Sequence, residues 1–124
     1  MAKMNVWMTD VAYFLMRVVV GLVFAEHGAQ KLFGVLGGHV VPYISQAGAA
    51  GVIEFVGGLL VAFGIFTTWA ALIVSGEMAV AFFQVHWPQG FFPIVNKGEL
   101  AVVYCFVFLF IASRGGARWK IAGR

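Results

Sequence analysis

Charged side chains are scarce in this chain. Asp, Glu, Lys and Arg make up 10% of its 124 residues, against 62% hydrophobic residues. A water-soluble domain of this size has too little interior to hide so much apolar side chain, so with a mean hydropathy of +0.95 the solvent must be lipid. Cysteine is almost missing. The one thiol, Cys105, excludes an intramolecular disulfide and a CxxC relay, and is expected to be a small apolar packing residue. No HxxxH, HExxH or Cys/His cluster is present, so no metal or haem site is expected. The formal charge is only +3, and the basic residues form no stripe interleaved with aromatics, which argues against nucleic acid. Nor does the first apolar run resemble a cleavable signal peptide. It is too long, holds Arg17, and lacks a cleavage site.

What is present is four apolar runs, at about 11–33, 50–66, 69–85 and 98–113, each long enough to cross a bilayer or nearly so. They predict an all-α polytopic membrane protein, a four-helix transmembrane bundle forming a single domain over 1–124. A Gly-rich loop with Pro42 and Tyr43 follows the first run. Thr67 and Thr68 are expected to form a short turn between the second and third. Pro88, Gly90 and Pro93 break the chain before the fourth. Trp69 and Trp87 lie 18 positions apart. At helical rise that is ~27 Å, the spacing of the two interfacial aromatic belts. Lys3 and the tail residues Arg114, Arg118, Lys120 and Arg124 fall on one side of the membrane. The positive-inside rule then puts both termini in the cytoplasm of a cell whose plasma (inner) membrane holds the protein.

Each run carries one carboxylate: Glu26, Glu54, Glu77 and Glu99. Charge in hydrocarbon is costly, so these acids are expected inside the bundle, paired or around a ligand. In the first run Arg17, Gly21, Phe24, Gly28 and Lys31 follow a 4-3-4-3 spacing, one seam of a helix. The glycines there let a neighbour approach closely, with both cations facing it. Glu54, Gly57, Gly58 and Val61 share a side of the second run; Glu77, Ala81 and Gln84 align in the third; Glu99 opens the fourth, where the helix dipole favours an acid. Arg17 and Lys31 cannot neutralise four acids. Either one or two carboxyls are neutral, with Glu77 the deepest, or a bound cation or charged histidine completes the balance. The candidate binding residues are therefore Arg17, His27, Lys31, Glu54, Glu77, His86 and Glu99, forming a polar pocket open toward the outer side. No catalytic residue is assigned.

These residues stand in a familiar order. Arg17 to Gly21, His27-Gly28-Ala-Gln-Lys31-Leu-Phe-Gly34, Glu54-Phe-Val-Gly57-Gly58, Gly76-Glu77-Met-Ala-Val-Ala81, His86, Gly90-Phe-Phe-Pro93 and Asn96-Lys-Gly98-Glu99 together resemble the DoxX family of small membrane proteins. The resemblance implies a four-helix integral membrane protein, an oxidoreductase or a subunit linked to quinol oxidation. Quinone is the cofactor or substrate it implies, with a small sulfur-containing molecule as the other candidate ligand. The lipid bilayer, a redox protein and further copies of the chain are the partners it implies. Where family members often close with Gly-Pro-Gly and then Trp-Ser-Leu-Asp, this chain has Gly115-Gly116-Ala117-Arg118-Trp119-Lys120-Ile121-Ala122, so no role can rest on the terminal Asp. Two other readings stay open: a small proton-coupled transporter, and a structural or assembly subunit of a membrane complex.

Overall fold

Glycine decides how the first two helices meet. Helix α1 spans Ala2–Phe33 and α2 spans Gln46–Phe63. A Cβ at Gly21 would sit 2.7 Å from the backbone of Gly58 and Ala62, and one at Gly58 would sit 2.6 Å from the Gly21 carbonyl. The two helices therefore cross backbone on backbone, and this antiparallel pair has the most extensive contact in the bundle. The computed structural model describes residues 2–123, with side chains from Asn5 onward. Arg124 and the side chain of Lys3, both counted toward the basic end, lie outside the described residues.

Helix α3 spans Thr67–Ala81 and continues through a widened turn, Phe82–His86, and a tight one, Trp87–Gln89. A one-turn helix, α4 (Pro93–Asn96), leads into α5, Glu99–Arg114. α3 packs along α5, and α2 links the two pairs. Three helical stretches are long and apolar enough to cross a membrane: Asn5–Phe33, Gln46–Phe63 and Thr67–Gln89. α5 has 16 residues. At helical rise that is ~24 Å, a little short of the hydrocarbon layer. Most exposed side chains along the helices, such as Val19, Val56, Ile73 and Phe106, are apolar, as lipid contact demands.

The turn between α2 and α3 falls at Gly64–Phe66, and Thr67 and Thr68 already belong to α3. Gly64 takes the left-handed φ of 72° that ends a helix cheaply, and Ile65 N–H donates back to the Leu60 carbonyl at 2.9 Å. The C-terminal tail then docks on this turn. Phe66 N–H donates to Ala122 O, and Ile121 N–H and Ala122 N–H donate to Gly64 O, all within 3.1 Å. Among the described residues this is the sole β-type pairing.

The start of α1 and the tail that follows α5 lie at this end, the terminal end; the two longer loops lie at the other, the loop end. Arg17 closes the terminal end. It is 2% exposed, and its guanidinium donates to Gly116 O at 2.7 Å and Ala62 O at 3.3 Å. Those carbonyls belong to the C-terminal ends of α5 and α2, where helix partial charge is negative and acceptors lack helical partners. Tyr13 adds a bond to Gly115 O at 2.7 Å, and Arg118 reaches Asp10 at 3.3 Å. Above them Val61, Val74, Phe108 and Ile111 fill the centre with no exposed surface.

Candidate functional site

At the loop end the bundle opens. The carbonyls that α1 leaves at its C-terminus are taken up by the loop that follows. Gly34 N–H binds Gln30 O, Val41 N–H binds Lys31 O, and the Tyr43 hydroxyl binds Leu32 O. Ser45 then caps α2 by accepting from Gly48 N–H at 3.0 Å. These ties hold Lys31 in the last turn of α1, facing α2. The helices approach closely here too, because the site of a Gly28 Cβ lies 2.3 Å from Phe55 N.

Lys31 Nζ meets both carboxylate oxygens of Glu54 at 2.7 Å. Glu54 is 2% exposed and Lys31 35%. Glu77, on α3, lines the same cavity as Lys31 and Glu54. No donor among the described residues reaches the buried Glu77 Oε1. One cation beside two carboxyls is net negative unless one acid holds a proton, and a low-dielectric interior favours the neutral arrangement. Such a group is able to hold one transferable proton, and Glu77 Oε1 has hydrogen-bonding capacity free for a ligand.

This group forms one wall of a cavity of about 1040 Å³. On the α1 and α5 side His27 and Tyr104 face each other edge to face, with ring centroids 6.1 Å apart, and Phe24 packs against both. The rest of the wall is mostly apolar, from Ile53, Ile73, Val80 and Ala81. His86 stands at the loop end, its Nδ1 3.1 Å from Asn96 O. Asn96 is fully buried. It donates to Gly90 O and accepts from Gly98 N–H, which pins the loop and sets Lys97 in left-handed backbone at the cavity rim.

The widened turn explains how Gln84, Val85 and His86 all reach this cavity. Pro88 has no N–H and would press on the carbonyl four residues back. The helix answers by slackening, and Trp87 N–H donates to Phe82 O, five residues back. Turns of this kind recur at functional sites because they re-aim side chains.

Of the candidates, His27, Lys31, Glu54, Glu77 and His86 line one cavity. Arg17 does not. Its seam faces α2 as the spacing predicts, but it sits at the terminal end and binds helix carbonyls. Glu99 does not either. It is exposed in the first turn of α5, where the helix dipole favours an acid. Glu26 is exposed on the outer face of α1. Tyr104, Gln46 and Lys97 line the cavity without having been singled out. Tyr104 was hidden because one aromatic in an aromatic-rich helix gives no contrast. Gln46 follows the Ser45 cap directly, and that cap signal would have placed it at the mouth of α2.

The fold and this group define a class: small polytopic helical membrane proteins with an ion pair and a carboxyl pair buried beside an apolar cavity. Within that class the chain belongs to the DoxX family, whose model, described as DoxX, matches residues 12–87. The matched stretch carries Lys31, Glu54, Glu77 and both cavity histidines. A protein of Haemophilus influenzae, described as an uncharacterized protein, is 44% identical over 115 residues, covering 85% of this chain and 86% of that protein. No solved structure matches the chain.

Proposed function

We propose that this chain is an integral membrane redox accessory that binds a quinone or quinol in the loop-end cavity and exchanges protons with it. The proposal rests on the Lys31–Glu54–Glu77 group, one cation and two carboxyls set beside an apolar space large enough for a ring. Quinol oxidation releases two protons and two electrons. The carboxyl pair suits the proton side of that chemistry, and His27 and Tyr104 suit stacking or hydrogen bonding to the ring. The electrons pass to a partner redox protein in the membrane complex. By the positive-inside rule we assign the terminal end, with Arg114, Arg118 and Lys120, to the cytoplasm, so the cavity faces outward in the plasma (inner) membrane.

A proton-coupled transporter needs its site to reach both sides in turn. The packed centre around Val61, Val74, Phe108 and Ile111 and the Arg17 clamp below it favour the binding role instead. The test is to purify the protein in mild detergent, extract it with solvent and analyse the extract by mass spectrometry. A quinone should accompany the wild type and be lost from a Lys31→Met/Glu54→Gln variant that still elutes as folded protein. Equal quinone in both samples, or none in the wild type beside proton-coupled uptake in liposomes, would overturn the reading.

A further inference from the structure

The cavity has a side door. Its lining includes two facing stripes, Ala49, Ala50 and Ile53 on α2 and Ile73, Gly76 and Val80 on α3. Ala49, Ile73, Gly76 and Val80 are exposed, and they lie on the lipid-facing surface of a membrane bundle. A Cβ at Gly76 would meet nothing within 4 Å. The slot between the stripes has a floor, where a Cβ at Gly57 would press on Val74 Cγ2 at 2.6 Å, and a lintel, where the Gln46 amide donates to Gln84. Between floor and lintel α2 and α3 present only small or apolar side chains, and behind them lies the Glu54–Glu77 pair.

We propose that a quinone enters this cavity sideways from the membrane, through the slot between α2 and α3, and keeps its isoprenoid tail in the slot while its ring reaches the carboxyl pair. This rests on the quinone reading above and extends it to the route and to the tail. A water-soluble ligand has no use for an opening onto lipid. A lipid-soluble molecule with a polar ring and a long apolar tail needs one, because drawing its tail through water exposes apolar surface at a cost that grows with every CH₂. The stripes are apolar and lack branched bulk at Ala49, Ala50 and Gly76, which leaves room for a chain. Polar atoms occur at depth, in Glu54 and Glu77, and at the lintel, so the slot matches such a molecule along its length.

The test uses full-length protein in lipid nanodiscs and two probes, a tail-less methyl-substituted benzoquinone and the same ring bearing several isoprene units. Gly76→Leu fills the slot from a position with open space, and leucine suits a helix better than glycine. The variant should keep the wild-type melting temperature. It should bind the tailed probe at least about tenfold more weakly and the bare ring within about twofold of wild type. Val80→Trp, on the same stripe, should give the same pattern and serves if Gly76→Leu is poorly folded. If both variants bind both probes as the wild type does, or weaken both equally, the side entrance is wrong while the quinone reading stands. If the wild type binds neither probe, the quinone reading fails and the entrance with it.

Discussion

Replacing Gly28 with valine should leave little folded protein. The first atom of the new side chain would lie 2.3 Å from Phe55 N and 2.6 Å from Gly51 O. Both are backbone atoms of α2, so no rotamer change relieves the clash. α1 must move away from α2, and the move also parts Lys31 from Glu54. Overpacking among yielding side chains costs about 1–3 kcal/mol. Against unyielding backbone the cost should be higher, a large share of the ~5–15 kcal/mol that typical folds possess. The check is the yield of monodisperse protein on size exclusion, with thermal melting of what is recovered. Gly76→Ala is the control, since nothing lies within 4 Å of its added carbon. It should be neutral, or stabilise by up to about 1 kcal/mol through helix propensity. A Gly28→Val protein that melts within a few degrees of wild type would show that α1 and α2 do not cross as closely as described.

Lys31→Ala should be the most damaging change to the cavity wall, and a second change should undo the damage. Without the ammonium, Glu54 is a buried carboxylate beside a second carboxyl. Removing one member of a buried pair strands the other, at a cost of about 2–4 kcal/mol when, as here, one partner is partly exposed. Lys31→Met with Glu54→Gln removes both charges and keeps the volume, so most of that loss should return. The double variant should regain its melting temperature and still bind no quinone, which separates the role in folding from the role in binding. If the double variant melts no higher than Lys31→Ala, the pair is not the cause of the loss.

The sequence made some of this legible because spacing carries it. The 4-3-4-3 seam of α1 places Gly21, Gly28 and Lys31 against α2, and the helical register of Glu77, Ala81 and Gln84 places them on one cavity wall. What spacing omits is height and rotation. Arg17 and Lys31 share a seam, yet fourteen residues of helix, ~21 Å, put them at opposite ends of the bundle with different partners. Glu99 had no second charged residue in α5 before Arg114 to fix which way its face turned. The α2–α3 turn was read from Thr67 and Thr68, whereas Gly64, the residue able to end α2 in left-handed backbone, marks where it occurs. The charge of the basic tail indicates only which side of the membrane it occupies. Its pairing with Gly64 and Phe66 depends on backbone hydrogen bonds that no residue type announces.

The central claim is that Lys31, Glu54 and Glu77 together hold one proton between the acids and no net charge. Infrared spectroscopy of the protein in lipid at neutral pH tests it most directly. The spectrum of the wild type minus that of Glu77→Gln should contain the C=O stretch of a protonated carboxyl, shifted in D₂O, and the same band should appear when Glu54→Gln is subtracted instead. Glu99→Gln, which alters an exposed acid outside the cavity, should subtract without that band. Difference spectra for Glu77 and Glu54 that show only ionised carboxylate would contradict the shared proton.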